Sequence, residues 1–261
     1  MRLGARVAGA AVAAAAFVGA AGGCSGSGHQ ASPPTTTATT AASTTTTTVA
    51  AGIQASGQRT VLSPIGLNLR AGPSLSAKVL GTAAQGTVLQ VLGHSAQSGG
   101  WYLVHGATVR GWITDSPRLS APGTFSSFTS TGHNFSVLYP TGWTVVDSLP
   151  HTRFRSPTAG EQILVRTSAT VGALVQGRTG YYQSDSQQVV LCGITSVLFT
   201  YTGEASQPRP GTTKYLAQVR ITLDAHHALG VEGDMTSLSQ LDTIRDFLYS
   251  ISFPYPQCEG K

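Results

Sequence analysis

The sequence lacks the motifs by which many enzymes are recognised. It contains no G-x-S-x-G elbow, no H-E-x-x-H pair and no phosphate-cradling glycine loop, which argues against α/β-hydrolases, zincins and P-loop enzymes. The histidines have neither the spacing nor the carboxylate neighbours of a metal site; they are His29, His94, His105, His133, His151, His226 and His227. We therefore predict no catalytic residue, no metal and no cofactor.

Long, strongly apolar runs are also missing. The stretch from Val7 to Gly23 is dominated by alanine and follows Arg2 and Arg6, whereas a membrane-spanning helix needs about 20 strongly apolar residues. A charged start followed by a short apolar stretch is typical of a secretory signal. We predict that residues 1–23 are a signal peptide and that the protein is exported, which argues against nucleic acid as a partner.

Cysteine is rare, and the first of the three cysteines follows this stretch directly. Ala21, Gly22 and Gly23 precede Cys24, and polar residues come after it, a pattern that resembles a bacterial lipobox. The resemblance implies that Cys24 is diacylated, and two acyl chains hold a protein stably on a bilayer. An ordinary small residue at a secretory cleavage site is the alternative. The predicted location is the extracytoplasmic face of the cell membrane, with the protein lipid-anchored.

Residues 24–57 differ in composition from the rest of the chain. They are rich in serine, threonine, alanine and proline, with an unbroken threonine run from Thr44 to Thr48. Such a segment cannot bury enough apolar surface to form a core. We predict a disordered linker whose root-mean-square reach is about 30 Å, which would carry the folded domains away from the lipid surface.

Residues 58–119 carry short β-rich runs separated by turn residues. LNLRAGPS occupies residues 67–74, further runs lie at residues 78–82 and 86–92, and G-W-Y and R-G-W-I follow at residues 100–102 and 110–113. Alternating apolar residues bounded by glycine and proline predict short strands. The order of these landmarks resembles the bacterial SH3 (SH3b) family, which implies a small all-β SH3-like barrel that binds rather than catalyses.

Three aromatic residues make a candidate ligand site in this module. Trp101, Tyr102 and Trp112 would form a shallow apolar platform, with Asn68 and Arg70 offering polar contacts. The alternative is structural, because the glycine-tryptophan pairs and the LNLRAGPS run of this family largely maintain the barrel itself. Both interpretations stay open on the sequence alone.

The charge of the module is uneven. Charged residues make up 10% of the chain, but residues 58–119 contain one acid, Asp115, against several basic residues: Arg59, Arg70, Lys78, Arg110 and Arg118. A basic module outside the cell would be drawn to peptidoglycan carboxylates or to an anionic wall polymer. Scattered basic residues that merely keep a small barrel soluble are the alternative.

Residues 120–261 form a second predicted domain. Alternation around the turn Pro140-Thr141-Gly142 predicts a hairpin, and Leu238 to Ile251 have helical spacing after a capping-box pattern at Ser237 and Gln240. Further strands are predicted at residues 152–155, 162–167, 189–191, 196–202 and 215–223. The alternation in the last of these predicts a sheet with one covered face.

The segments NFSVLYPTGWTV and FRSPTAGEQILVRTS, followed by the helix and SISFPYP, resemble the PsbP/Mog1-like α/β sandwich group. The resemblance implies an α+β sandwich, an antiparallel sheet with a C-terminal helix. Members of that group vary in function, so it suggests an accessory or binding role without a ligand. The predicted architecture is thus multi-domain: a linker, an SH3-like barrel and this sandwich.

The remaining cysteines, Cys192 and Cys258, are an even pair in an exported chain, which favours a disulfide. Cys192 lies in an apolar run and is alternatively a buried thiol. As a nucleophile it lacks the Asp-Cys-Ser-Gly-like context of NlpC/P60-type wall hydrolases, and the adjacent His226 and His227 are better placed in a turn.

Together these features predict a non-enzymatic, lipid-anchored envelope protein. Its SH3b domain would bind peptidoglycan, an anionic wall polymer or an envelope protein partner. An accessory subunit of a wall hydrolase or an envelope transporter is the alternative, and a wall-modifying enzyme is the least favoured.

Overall fold

The computed structural model describes residues 57–174, 179–191, 193–204 and 213–254. These residues all lie in one compact unit of the chain. The predicted signal peptide, the linker up to residue 56 and all three cysteines, Cys24, Cys192 and Cys258, lie outside the described residues. Within the described ranges, no helix is long and apolar enough to cross a membrane.

The first domain is a seven-stranded antiparallel sheet. Its strands are β1 (Gly57–Val61), β2 (Leu67–Arg70), β3 (Val79–Ala83), β4 (Val88–Ser95), β5 (Trp101–His105), β6 (Arg110–Thr114) and β7 (Ser120–Pro122), in the order β3-β2-β6-β5-β4-β1-β7. The strands expected from residues 78–82 and 86–92 are present as β3 and β4. The strand β7 pairs with β1, so this sheet continues past residue 119, the predicted end of the domain.

Alternation along these strands separates the core of the first domain from its surface. In β4 every second side chain is buried up to Gly93, as expected for a sheet with one covered face. The core consists of Val61, Leu67, Leu69, Ala83, Leu89, Val91, Val104 and Ile113. At Gly111 a Cβ would lie 2.9 Å from the Cβ of Leu69 and 3.2 Å from backbone atoms of Arg70. The glycine of this glycine-tryptophan pair therefore allows β2 and β6 to approach.

The second domain contains two antiparallel sheets and a helix. A two-stranded sheet is formed by β8 (Phe125–Ser130) and β9 (Phe135–Pro140). The seven strands of the larger sheet are β10 (Thr144–Ser148), β11 (His151–Arg155), β12 (Gln162–Ser168), β13 (Tyr181–Leu191), β14 (Ile194–Gly203), β15 (Tyr215–Thr222) and β16 (Ala228–Met235), in the order β10-β11-β12-β16-β15-β14-β13. Each strand predicted after residue 150 corresponds to a strand of this sheet, although β15 ends at Thr222, one residue before the predicted end.

The prediction of a hairpin around Pro140-Thr141-Gly142 is wrong. The turn exists, with Gly142 at φ 93°, but the two strands it joins belong to different sheets, since β9 pairs with β8 and β10 pairs with β11. Alternation of apolar and polar residues indicates that two segments are strands, but it does not indicate which strands they pair with. Here β9 also forms a bridge from Ser136 to Ser252.

The C-terminal helix α1 (Leu241–Ser250) follows a 3-10 turn at Leu238–Gln240. The predicted capping box is present, and the side chain of Gln240 accepts from the backbone N of Ser237 at 3.0 Å. The helix packs on the inner face of the larger sheet, where the ring of Phe247 lies 4.9 Å from that of Phe154. The resulting architecture is mostly β with one covering helix.

The two domains share a boundary. The buried side chains of Leu62 and Ala121, both from the first sheet or its loops, belong to the hydrophobic core of the second domain. Nε2 of Gln85 donates to the carbonyl of Leu62 at 2.8 Å and to that of Ser250 at 2.6 Å. The first domain therefore packs against the C-terminal end of helix α1 and is not connected to the second domain by the chain alone.

Candidate functional site

The predicted aromatic platform is not an open surface. Trp101 and Trp112 are 2% and 8% exposed, and with Leu103 they form a small cluster of their own. Tyr102 lies on the other face of the sheet, because successive side chains of a strand point in opposite directions. The three aromatic residues are therefore not brought together, and two of them are almost buried.

The polar residues of the predicted site lie on the same side as the tryptophans. Arg70 is directly opposite Trp112 in the pairing of β2 with β6, and Asn68 is two residues before it on the same strand. Both already have protein partners. Nη1 of Arg70 donates to the carbonyl of Ala77 at 2.9 Å, and Oδ1 of Asn68 accepts from the hydroxyl of Thr82 at 2.9 Å. Arg70 thus holds the loop of residues 71–78 against its own strand.

Trp101 has an unusual feature for a core residue. Its indole Nε1 is buried and has no acceptor among the described residues. A buried donor without a partner costs about 1–3 kcal/mol, so such groups are rare in folded proteins. A carbonyl or carboxylate oxygen arriving at this nitrogen would recover that free energy. The outer face of β2, β5 and β6, defined by Asn68, Arg70, Trp101 and Trp112, is the candidate site.

Exposed aliphatic side chains lie beside this face in sequence. Leu75 is 72% exposed in the loop held by Arg70, and Val79 and Leu80 of β3 are 41% and 44% exposed. The strand β3 is the outermost strand of the sheet next to β2. The candidate site therefore combines hydrogen-bonding groups with exposed aliphatic side chains that a ligand backbone or sugar ring can contact.

Tyr102 belongs to a second, polar cluster that sequence reasoning missed. Its ring lies 4.9 Å from that of His94 and 4.3 Å from the guanidinium carbon of Arg59. Burial raises the pKa of Tyr102, and although the charge of Arg59 opposes this, Asp115 adds to it through its charge and a hydrogen bond. Asp115 also lies 3.3 Å from Nε2 of His94. The pairing of His94 with Tyr102 across β4 and β5, which depends on a bulge, is what the sequence did not reveal.

The basic excess of the first domain is partly structural. Arg59 is 9% exposed, with Nε donating to the hydroxyl of Ser120 at 3.0 Å and Nη2 to its carbonyl at 2.7 Å. Arg70 is occupied as described, whereas Lys78, Arg110 and Arg118 are exposed. Three of the five basic residues are therefore available to attract an anionic polymer.

The boundary between the domains contains a perturbed carboxyl group. Burial, reinforced by the charge of Asp242, raises the pKa of Asp246 on helix α1 to about 7, and the cations Arg59 and Arg245 oppose the shift. Arg59 belongs to the first domain, so residues of both domains influence the pKa of Asp246. Nothing in the sequence pattern marks Asp246, because it is one of several acids in an amphipathic helix.

Of the residues considered for catalysis, Cys192 lies outside the described residues, and only the two histidines can be placed. His226 and His227 lie in the exposed turn between β15 and β16, as predicted, and Nδ1 of His227 contacts the carboxylate of Asp224 at 2.7 Å. Hydrogen bonds from the backbone of His226 and the side chain of His227 lower the pKa of Asp224. In the part of the chain that the structure describes, no group of three or more metal-binding side chains comes together.

These observations define a two-domain protein with an SH3-type module joined to an α+β domain. Residues 65–119 match the family model for the bacterial SH3 domain, which confirms the resemblance of the first domain. No curated protein matched the chain.

Two solved structures are similar to about half of this chain. Cyanobacterial PsbP from Synechocystis sp. PCC 6803 is 16% identical, with 49% of this chain and 92% of that chain covered and a TM-score of 0.37. A protein from Bacteroides thetaiotaomicron VPI-5482 is 13% identical, with 50% and 48% covered and a TM-score of 0.33. At these scores the likenesses support no statement about ligand or function.

Proposed function

We propose that this is a non-enzymatic, lipid-anchored envelope protein whose SH3 domain binds peptidoglycan or an anionic wall polymer. The observation that carries the proposal is the buried indole N–H of Trp101, which has no acceptor among the described residues. It lies on the same face of the domain as Arg70 and Asn68. The match of residues 65–119 to the bacterial SH3 domain supports a binding role for this face.

The chemistry of this face suits wall material. Peptidoglycan offers carbonyl oxygens from its stem peptides and N-acetyl groups, which are acceptors for the indole N–H. Its free carboxylates would be attracted by Lys78, an exposed cation beside β3. The loop of residues 71–78, held by Arg70, would have to shift for a ligand to reach Trp101, and the exposed Leu75 would then contact the ligand.

The anchor makes weak binding useful. If Cys24 carries the lipid and residues 24–57 act as a tether, the SH3 domain is confined to the space next to the membrane. Confinement raises its effective concentration at the wall to about the millimolar range, so a modest affinity is sufficient. The predicted envelope location follows from Cys24 and the signal-like leader.

An accessory role for a wall hydrolase or an envelope transporter is the second candidate function. It is favoured by the shared boundary between the domains, where Leu62 enters the second core and Gln85 contacts Ser250. If the two domains form a rigid pair, the SH3 domain can bind the wall while the second domain holds a partner protein at a fixed position next to it. A protein that binds only wall material has no need of this rigidity.

Sedimentation with isolated peptidoglycan tests the leading proposal. Trp101→Phe keeps an aromatic ring in the core but removes the indole N–H together with the rest of the five-membered ring, so we expect binding to fall about tenfold or more. Trp143→Phe makes the same chemical change in the second domain and should bind like the unchanged protein. Absence of sedimentation at low salt would contradict wall binding, and full binding by Trp101→Phe would remove the N–H from the site.

A further inference from the structure

The hairpin of β10 and β11 presents a basic depression on the outer face of the larger sheet, the face opposite helix α1. Alternate residues of β11 line it, and their cross-strand partners on β10 complete it. The lining residues are Thr144, Val146, Ser148, His151, Arg153 and Arg155, and they bound an open depression of about 160 Å³. Along the strand its three basic side chains recur about every 7 Å.

None of the lining residues of this depression is an acid. Asp147, the acid of the same hairpin, points to the other face, where it accepts from the hydroxyls of Ser130 and Thr152. The next strand, β12, places Arg166 opposite His151. Glu232 and Asp234 lie on β16, two strands from β11, and Arg155 also borders a separate depression that Glu161 and Asp234 line. The lining of the depression itself therefore supplies cations and hydroxyl groups but no carboxylate.

Arg153 carries a donor that is not satisfied. Its Nε is buried and has no acceptor among the described residues, while its Nη2 donates to Nε2 of His151 at 3.2 Å. Burial lowers the pKa of His151, and the charges of Arg153, Arg166 and His133 lower it further. A histidine with a lowered pKa and a guanidinium with an unsatisfied N–H are the features expected where cations lie close together.

We propose that this depression binds a phosphate group. A guanidinium presents its N–H donors as a planar fork that matches phosphate oxygens. Arg153 and Arg155 supply such forks, and the hydroxyls of Thr144 and Ser148 are further donors at the rim. Donors on both strands of the hairpin exceed what the two oxygens of a carboxylate can accept, whereas a phosphate offers oxygens in several directions.

The rim of the depression points to a lipid headgroup as the source of the phosphate. Leu149, at the tip of the hairpin, is 80% exposed, and Val146, opposite Arg153, is 59% exposed. Aliphatic side chains next to cations suit the interface of an anionic bilayer, where apolar area and charge both contribute to binding. The choice of a lipid source rests on the proposed membrane location, whereas the phosphate site itself does not.

The site can be tested in the full-length protein with inorganic phosphate as the probe. We expect phosphate to raise the pKa of His151, followed by NMR, because a bound anion stabilises the imidazolium. Arg153→Gln should weaken phosphate binding by about tenfold or more, and Arg155→Gln, at an exposed position, tests the site without disturbing the core. Lys214→Gln, an equal loss of charge elsewhere in the domain, should bind within about twofold of the unchanged protein.

Vesicles distinguish the two sources of phosphate. We expect more binding to vesicles that contain phosphatidylglycerol than to phosphatidylcholine vesicles, and we expect this difference to shrink in Arg155→Gln and Leu149→Ser but not in Lys214→Gln. Phosphate binding with no such change in the vesicle assay would overturn the lipid source. If phosphate leaves the pKa of His151 unchanged and binds Arg155→Gln as well as the unchanged protein, the site itself is refuted, whatever the outcome of the peptidoglycan sedimentation.

Discussion

Asp246 is a half-buried carboxyl group whose pKa the fold raises well above its ordinary value. Its pKa rises from 3.8 to about 7 in the folded protein. The folded chain therefore holds a proton at pH values where the unfolded chain has released it, so this group's contribution to stability declines as pH rises from about 4 to about 7. The free energy involved is at most about 4 kcal/mol.

We expect Asp246→Asn to remove this pH dependence. The amide has no charge to desolvate, so at pH 8 the variant should be more stable than the unchanged protein by about 1–3 kcal/mol, with little difference at pH 4. Urea unfolding at the two pH values measures this. Asp185→Asn, at an exposed position on β13, should change stability by less than about 0.5 kcal/mol at either pH. Equal effects of Asp246→Asn at both pH values would contradict the burial argument.

At the scale of single residues, the sequence predicted the strands of the candidate site but not its faces. The G-W-Y and G-W-I motifs correctly indicated β5 and β6, but the predicted platform put Trp101 and Tyr102 on one face, whereas neighbouring side chains of a strand point to opposite faces. Which of the two enters the main core depends on the register with β4, where a bulge lies between Val91 and Gly93. The polar cluster of Arg59, His94 and Asp115 around Tyr102 follows from that register and from β7, neither of which has a local sequence signal.

Helix α1 meets the larger sheet at a point where only a glycine fits. A Cβ on Gly233 of β16 would overlap the side chain of Ile244, with Cγ1 at 2.8 Å and Cδ1 closer still. Overpacking of this kind typically costs about 1–3 kcal/mol, because the helix must move or Ile244 must leave its rotamer.

We therefore expect Gly233→Ala to destabilise the protein by about 1–3 kcal/mol. In an Ile244→Ala background the same change should cost much less, since the clashing atoms are gone, and the double-mutant cycle then gives a coupling free energy of about 1 kcal/mol or more. Gly132→Ala is the control, because a Cβ there meets nothing within 4 Å. Additive effects of the two substitutions in denaturant unfolding would show that the helix adapts.

The elements themselves were largely predictable where a local rule applies. The capping box at Ser237 and Gln240 correctly marked the start of the helical segment, although its first turn is a 3-10 turn and Leu238 is 50% exposed. In β15 the predicted inner residues Val219 and Ile221 are buried, but Leu216 and Gln218 of the opposite face are buried too, so the expected alternation holds only in part. The pairing of β9 with β8 was not predictable, because strand partners are chosen by the packing of the whole domain.

The boundary between the domains departs most from the sequence-based expectation. The SH3-like resemblance predicted two domains divided at residue 119, yet β7 completes the first sheet and Leu62 belongs to the second core. From the sequence, a leucine directly after β1 is expected in the core of its own domain. Only the structure shows that the side chain of Leu62 packs in the core of the second domain. A core shared between domains depends on contacts between residues that are far apart in the sequence. Local patterns such as alternation and turn motifs therefore do not predict it.

The shared boundary predicts that both domains unfold together. Leu89→Ala, in the core of the first domain, should cost about 2–5 kcal/mol. If the domains are coupled, the second domain loses the support of Leu62 and of Gln85 when the first unfolds. Hydrogen exchange in denaturant, resolved by mass spectrometry, should then show peptides of β15 and β16 losing protection at the same midpoint as those of β4 and β5.

Leu62→Ala supplies the matched test of this coupling. Its side chain is fully buried in the second core although it lies in the first domain, so the substitution weakens the boundary itself. We expect the single transition to separate into two, with peptides of the first domain opening at a different denaturant concentration from those of helix α1. Two separate transitions in the unchanged protein would instead show independent domains, and the rigid presentation that favours an accessory role would lose its physical basis.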